Sequence, residues 1–373
     1  MAITFHDIPS TYALTDNPLT YVFSSNQTAQ PNFRYIVRTY YNGNLVSTDN
    51  VFPQVGARAY WDASGVVRNV ASIPVLLNAL AQNNQMLKSL KINVTEVYGS
   101  PATPQANSDS TTTFVFKGRV PDDEFSDLDL NGDYKGKLFL TNSVDRNRTI
   151  LRGVDSYISM LVDGSAELDM RFYSSDGTEL HDYQDTQDYD IWQLNVKSSN
   201  LTATAGVPNI NAVDYFTVQI GSSEIFTFNY HVEDCYTANQ IVWLNKWGVP
   251  DQFVFTHNNI IKGSAKYMSY KKAFGEWQGN SFNYNAVDSG VKHFMVEVER
   301  SGSLVSGWLS QNEQNFITEI YDSPYHLLIN SSGSISSIEL MDASYDFKQD
   351  RYEELFNEEI KYNITSNYNS FRM

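Results

Sequence analysis

The stretch CYTANQIVWLNKWGVPDQFVF, residues 235–255, gathers unusual residues in one place. It holds the only cysteine of the chain, Cys235, and two of its six tryptophans, Trp243 and Trp247. Ile-Val-Trp-Leu at 241–244 is too short and too uniformly apolar for an exposed strand. The run therefore predicts a strand that is buried on both faces.

The residues that follow predict a tight corner. Asn-Lys-Trp-Gly at 245–248 is typical of a turn in which Gly248 takes a positive φ, and Pro250 stiffens the exit. Gln-Phe-Val-Phe at 252–255 then returns to a strand. We interpret the whole stretch as a scaffold packed with aromatic side chains, with an aromatic platform for a ligand as the alternative.

Length and composition place the chain among globular, mostly β proteins. With 373 residues it is long for one hydrophobic core, which favours two or three domains. Apolar residues make up 42% and charged residues 18%, a globular rather than a disordered balance. The 24 Tyr and 21 Phe suit a half-buried pleated surface.

Turn signals between alternating runs indicate β-hairpins. Asn42-Gly43 lies between two strand-like runs, and Asp176-Gly177 does the same further along the chain. Turns at such short intervals predict a mainly β chain of two or three β-sandwich-like or barrel-like domains with one or two short docked helices.

Two segments carry helical signals. Residues 73–90 have apolar residues at roughly helical spacing. In residues 309–324, Ser310 and Glu313 form a capping box, and Pro324 closes the segment. The predicted apolar face of this second helix consists of Phe316, Ile317, Ile320 and Tyr321.

Two polar stretches suggest boundaries. Residues 99–110 are rich in Pro, Ser and Asn and predict loose structure, as a boundary or as a long hairpin loop, and residues 195–214 predict a linker. The resulting division is an N-terminal β domain at 1–120, a middle β-rich domain at 121–205, and a C-terminal β domain at 206–373 with one helix near 311–321.

Charge argues against several partners. The formal charge of −17 makes the chain a poor binder of nucleic acid, and the densest basic run is only residues 266–272. No apolar run is long enough to span a membrane. Because residues 1–18 lack a signal peptide pattern and the chain has one cysteine, we expect synthesis and folding in a reducing cytoplasm.

Residues 127–138, DLDLNGDYKGKL, resemble the start of a calcium loop. The oxygen-bearing side chains are Asp127, Asp129, Asn131 and Asp133, with Gly132 at the sixth position. The twelfth position should supply a carboxylate and is Leu138 instead. The alternative is an Asn-Gly turn with Asp residues on the wet face of the flanking strands, and we predict no metal site.

Catalytic patterns are weak throughout. Residues 181–190, HDYQDTQDYD, concentrate carboxylates beside His181, and we interpret them as a solvated charged loop rather than as the carboxylate pair of a glycosidase. Cys235 lies near His231 and Asp234, yet in an extended segment His231 and Cys235 stand too far apart for proton transfer. The six histidines, at 6, 181, 231, 257, 293 and 326, are scattered. We therefore expect no catalytic residue and no cofactor.

Four segments resemble virion structural proteins of tailed phages of Bacteroidetes, including crAss-like phages. The first is Leu-Asn-Lys-Trp-Gly-Val-Pro-Asp-Gln-Phe-Val-Phe at 244–255, although Val249-Pro250 departs from the pattern. The other three are residues 51–70, 136–162 and 306–329. The resemblance implies a part of the virion tail, neck or baseplate that assembles into a ring or hub.

The function expected from this resemblance is a non-enzymatic structural subunit located in the virion. Its partners would be copies of itself in a ring and other virion proteins, with loops such as 99–110 and 181–190 ordering at subunit contacts. The alternative is a module that binds carbohydrate or a host receptor, for example a host surface glycan. In that case exposed aromatic residues such as Trp277 or Trp61 would form the platform.

Overall fold

Most of the described chain is β structure. The computed structural model describes residues 3–71, 81–82, 86–120, 139–141, 143, 145–231, 237–257, 259–271, 275–284, 291–341 and 357–365. Strands dominate these residues, which also contain three short α-helices and several sheets. The predicted mainly β fold is confirmed.

The elements are numbered in chain order. The strands are β1 (Thr4–Asp7), β2 (Tyr12–Leu14), β3 (Thr20–Ser24), β4 (Arg34–Tyr41), β5 (Asn44–Val51), β6 (Arg58–Asp62), β7 (Ala81–Gln82), β8 (Lys88–Gly99), β9 (Ala102–Phe116), β10 (Asn147–Ile150), β11 (Tyr157–Tyr173), β12 (Glu179–Asn195), β13 (Tyr215–Ile220), β14 (Phe226–Tyr230), β15 (Asn239–Leu244), β16 (Pro250–Phe255), β17 (Ile260–Lys271), β18 (Glu276–Gln278), β19 (Ser281–Asn283), β20 (Val291–Val305), β21 (His326–Asn330), β22 (Ile335–Leu340) and β23 (Glu359–Ile364). The helices are α1 (Ser64–Val70), α2 (Ser198–Ala205) and α3 (Gln311–Asp322).

The first hydrophobic core lies between two sheets of the N-terminal segment. One sheet has the order β1-β3-β6 and the other the order β2-β9-β8-β4-β5. Side chains along β4 alternate between buried and half-buried, as the pleat of a strand requires. Phe23 of one sheet meets Tyr35 of the other edge to face, with ring centroids 5.0 Å apart. The aromatic residues thus fill the space between the sheets.

Both predicted hairpins are confirmed. Strands β4 and β5 pair directly across Asn42-Gly43, whose φ angles of 48° and 79° fit the turn that a twisted two-residue hairpin needs. Strands β11 and β12 meet across the turn that contains Asp176-Gly177, where Gly177 has a φ of 82°. At both turns glycine takes the left-handed conformation without steric cost.

The prediction of loose structure at 99–110 is wrong. Residues 102–110 are the first part of β9, which pairs with β8, and only a short turn around residues 100–101 separates the two strands. Polar side chains are compatible with the solvent-facing side of a strand. The backbone groups of β8 need hydrogen-bonding partners whatever side chains the partner strand carries. Residues 102–110 supply these partners, and this polar stretch is therefore a strand.

The helix predicted at 73–90 is wrong wherever the structure describes it. Residues 81–82 form β7, which pairs with β12, and residues 88–90 begin β8. A short apolar run does not distinguish a buried strand from a helix. Leu90 begins a period-two series with Ile92 and Val94, and all three are buried in the first core.

The second core belongs to a six-stranded sheet with the order β10-β14-β13-β11-β12-β7. Phe172, Phe216 and Phe228 stack along its buried face, with successive ring centroids 5.6 and 5.2 Å apart. Strands β11 and β12 are each 17 residues long, so their hairpin reaches well beyond the shorter strands beside it.

The linker predicted at 195–214 is wrong, because this stretch folds against the second core. It contains α2, which ends at Gly206 with a φ of 68°, and a short 3-10 helix at Ile210–Ala212. Leu201 and Val213 are fully buried there. Strands on both sides of residue 205 belong to one sheet, and the division at 120 and 205 stays a prediction.

The third unit is a seven-stranded sheet with the order β16-β15-β21-β22-β23-β20-β17. Helix α3 covers it and confirms the predicted helix near 311–321. Ser310 accepts a hydrogen bond from the backbone N–H of Glu313, and the Glu313 carboxylate accepts one from the backbone N–H of Ser310. Phe316, Ile317 and Ile320 of α3 are buried against the sheet.

Candidate interaction surface

The corner at 245–250 is buried, so its aromatic residues offer no open platform. Trp243 is fully buried, and Trp247 is only 9% exposed. Gly248 has a φ of 67°, and its N–H donates to the Asn245 carbonyl oxygen at 2.8 Å. The predicted strand, turn and returning strand are confirmed, and β15 pairs with β16 across the turn.

This corner also contacts the first core. Trp247 and Val249 pack among the apolar residues of that core. The backbone N–H of Arg119 donates to the Lys246 carbonyl oxygen at 2.8 Å. A Cβ atom at Gly248 would lie 1.7 Å from the Lys117 carbonyl oxygen, so only glycine permits this approach.

Polar residues beside the corner connect it to the second unit. Arg148 and Asp251 form an ion pair at 2.8 Å, with side chains 9% and 2% exposed. Thr141 donates a hydrogen bond to Asp251 at 2.6 Å, and Asn245 donates to the Leu140 carbonyl oxygen at 2.9 Å. The Arg148–Asp251 pair and the Asn245 amide thus find partners in the junction, whereas the buried Nε atom of Arg148 has none among the described residues.

Two buried glutamines bind the same junction together. Gln252 accepts from the backbone N–H of Tyr157 at 2.9 Å and donates to its carbonyl oxygen at 3.0 Å. Gln240 donates to the Asp155 carbonyl oxygen at 2.9 Å. Residues 240–252 therefore join the first, second and third units, which is the position of an internal scaffold.

Glu319 of α3 is the one acid beside this junction with a strongly shifted pKa among the described residues. Its carboxylate accepts from the backbone N–H of Lys246 at 2.9 Å, and its Oε2 atom is buried. Burial, followed by the negative charge of Asp251, raises the pKa of Glu319 to about 7. A small cavity beside Arg148 and Asp251 is lined by residues such as Thr141 and Pro250 but not by Glu319, so we attribute this shift to packing rather than to chemistry.

Several other residues that the sequence singled out lie outside the described part of the chain. The calcium candidates Asp127, Asp129, Asn131 and Asp133, together with Cys235 and Asp234, lie outside the described residues. His231 is described, and its backbone N–H donates to the Ile150 carbonyl oxygen at 2.8 Å. Among the described residues, no group of three or more His, Cys, Asp or Glu could hold a metal ion.

The expectation of a loop at 181–190 is wrong, because these residues belong to β12 and pair with β11. His181 contacts the Ala205 carbonyl oxygen at 2.6 Å through Nε2. Strand β12 carries five acidic residues and no Lys or Arg. In the described part of the chain, β7 contacts its outer edge only at Trp192 and Gln193, which leaves the edge of residues 179–190 open.

A long two-stranded ribbon is the most exposed feature of the described structure. It consists of β17 and β20, and we call it the arm. All 12 residues of β17 are exposed. Strand β20 also pairs with β23, but only over Ser301–Val305, so residues 291–300 contact β17 alone among the described strands. The arm thus extends about 30 Å beyond the sheet.

Both faces of the arm carry apolar side chains. Tyr267 pairs with Val296 on one face, and Met268 pairs with Met295 on the other. Tyr267 is 59% exposed, and Ile261 near the base is 68% exposed. A solitary two-stranded hairpin is at best marginally stable in water. An arm of this length with apolar residues on both faces has the composition of a contact surface.

Three aromatic residues stand near the end of the arm, on the small hairpin of β18 and β19. Trp277 and Phe282 lie edge to face with ring centroids 5.4 Å apart, and Phe282 and Tyr284 are 5.1 Å apart. Trp277 is 70% exposed. Trp61 differs, because it is partly buried and its Nε1–H donates to Thr39.

None of the sequence patterns described above predicts a projecting arm. The available signal was that residues 260–271 carry apolar side chains on both alternating sets, without the polar face of a half-buried strand. None of the helices in the described ranges is long and apolar enough to cross a membrane.

Comparisons with known proteins add no function. No family model and no curated protein matches the chain. One solved structure with partial similarity is a glycosyl hydrolase family 2 member from Bacteroides cellulosilyticus DSM 14838, at 9% identity and a TM-score of 0.14. The match covers 56% of this chain and 28% of that one. A TM-score this low carries no argument.

Proposed function

We propose that this chain is a non-enzymatic structural subunit of a tailed-phage virion, in a ring or hub of the tail, neck or baseplate. It would act by assembling with copies of itself and with neighbouring virion proteins. The observation that carries the proposal is the arm, which exposes apolar side chains on both faces and lacks a covering layer in the described structure. Such a surface gains free energy when a partner covers it.

Two further observations support an assembling part. The sequence resembles virion proteins in four segments spread along the chain, in the expected order. The three units are held together by a buried junction at residues 240–252, which gives the arm a rigid base. A rigid base lowers the entropy cost of placing the arm on a neighbour.

The test is to remove the arm while keeping its base. Lys262 and Ser301 pair directly, so an Asn-Gly turn can replace residues 263–300 and close a short hairpin. We expect the full chain to form closed oligomers by mass photometry and negative-stain imaging. The shortened chain should stay monomeric with an unchanged unfolding temperature. Oligomers that survive this deletion would contradict the assembly role of the arm.

A second candidate function is binding of carbohydrate or of a host receptor, favoured by the exposed cluster of Trp277, Phe282 and Tyr284. An exposed aromatic face offers an apolar surface beside polar groups. A glycan screen of the wild type and of Trp277→Ala tests it, with the partly buried Trp61→Ala as the matched control. Saturable binding that only Trp277→Ala abolishes would favour this function.

A further inference from the structure

Two open strand edges of this chain carry opposite charges. Strand β17 forms one end of the seven-stranded sheet, and in the described structure it pairs only with β20. Its 12 residues include three Lys and no acid. In the described structure no strand contacts the outer edge of β12 over residues 179–190, a stretch of 12 residues whose sequence has five acids and no Lys or Arg. No described strand pairs with the outer backbone N–H and C=O groups of either edge over these residues, and such groups are a template for another strand.

We infer that β17 of one copy pairs with the open edge of β12 in a second copy. The inference rests on the proposed function, because it names the contact through which the subunit would assemble. Backbone hydrogen bonds would supply affinity, as in other additions of a strand to a sheet edge. Lysine side chains of β17 would then lie beside the carboxylates of β12.

Charge also decides between the competing pairings. Two β17 edges would bring Lys residues opposite one another, and two β12 edges would do the same with acids. Like charges on facing strands destabilise a sheet. Only the unlike pair avoids this repulsion, so the contact joins different surfaces of the two copies. Such a contact generates a ring when the rotation between copies closes, and a filament when it does not.

Charge reversal with complementation tests the contact. One variant carries Lys262→Glu and Lys271→Glu, which are exposed and leave the Lys266–Glu299 ion pair of the arm intact. The other carries Glu179→Lys and Asp182→Lys, and avoids Asp185 because that carboxylate accepts hydrogen bonds from its own strand. All four positions are exposed, but Asp182 also lies 3.9 Å from Arg171 on the facing strand, so the unfolding temperature of this variant is measured beside that of the wild type.

We expect each variant alone to associate about ten-fold or more weakly than the wild type, in sedimentation velocity at about 0.1 M salt. Placing all four substitutions in one chain should restore association, because the unlike charges are then exchanged rather than lost. The matched control for the first variant is Arg58→Glu with Lys91→Glu, two exposed positions in the first unit that change the net charge by the same amount and in the same direction as Lys262→Glu with Lys271→Glu. This control should associate with at most a small change.

The outcomes separate this contact from the proposed function. Weakening in both variants with recovery in the combined chain supports the contact. Wild-type association that neither reversal weakens overturns the contact and leaves self-assembly standing. A wild type that stays monomeric across the concentration series overturns the contact and also the self-assembly on which it rests.

Discussion

Gly248 is where the backbone of the buried corner comes closest to the first unit. Its φ of +67° and the position of the Lys117 carbonyl oxygen, 1.7 Å from an added Cβ, leave no room for a side chain. We expect Gly248→Ala to lower the free energy of unfolding by more than about 4 kcal/mol, because it combines backbone strain with displacement of the junction.

Urea denaturation followed by tryptophan fluorescence measures the effect of Gly248→Ala. The matched control is Gly333→Ala, which has a similar φ of +80° but open space around the added Cβ. It should cost only about 1 kcal/mol for the strained backbone. Equal losses in the two variants would show that the close approach at Gly248 contributes nothing.

Glu319 makes stability depend on pH. Its pKa rises from 4.5 to about 7 on folding, so across this window the folded chain holds a proton that the unfolded chain has released. The contribution of Glu319 to the free energy of unfolding therefore falls as pH rises from about 4.5 to about 7. Above that range the folded chain carries a buried negative charge.

Glu319→Gln should accordingly be more stable than the wild type at about pH 8 and similar to it at about pH 4. The comparison requires unfolding curves of both proteins across this pH range. The matched control is Glu339→Gln, at an exposed position. In this variant the free energy of unfolding should change between about pH 4 and about pH 8 by the same amount as in the wild type. If the free energies of unfolding of Glu319→Gln and the wild type differed by the same amount at every pH, the raised pKa of Glu319 would be contradicted.

At the scale of elements, helix α3 depends on its cap. Ser310 Oγ accepts from the Glu313 backbone N–H at 3.2 Å. Ser310→Ala removes this bond and should lower the free energy of unfolding by about 1 kcal/mol. Asn315→Ala, at an exposed position of the same helix, should be neutral or slightly stabilising because alanine favours helix. Calorimetric unfolding temperatures that shift equally in both variants would contradict a specific capping effect.

Local signals predicted the elements that depend on local chemistry. The capping box at Ser310 and the Asn42-Gly43 turn specify their own conformations, so both could be identified without the fold. The stretches at 99–110 and 195–214 could not, because distant partners decide their structure. The arm was missed for a related reason. Apolar residues on both alternating sets of 260–271 fit a fully buried strand as well as an exposed arm, because residue types do not record whether another layer packs on a strand.

For the whole molecule, charge acts in two opposing ways during assembly. The net charge of −17 makes whole copies repel one another, whereas the contact between β17 and β12 attracts at short range. Screening extends about 30 Å at 0.01 M salt, about 10 Å at 0.1 M and about 3 Å at 1 M. Moderate salt therefore removes the long-range repulsion before it weakens the close pairs.

We thus expect association to be strongest at intermediate ionic strength, around 0.1 M, and weaker at both extremes. Sedimentation velocity across a salt series measures this profile. The chain with all four edge charges exchanged serves as control and should show the same maximum. Association that only increases with salt would indicate that apolar contacts of the arm dominate and that the edge charges contribute little.

The order of the two edges along the chain has a consequence for synthesis. Strand β12 ends at residue 195 and strand β17 begins at residue 260, so 64 residues are translated between them. At about 5–20 residues per second this interval lasts roughly 3 to 13 seconds. During it, neighbouring nascent chains on one messenger RNA carry the acidic edge without its basic partner, and two such edges repel. Premature joining on the polysome is thereby suppressed until each ribosome has passed the segment that encodes β17.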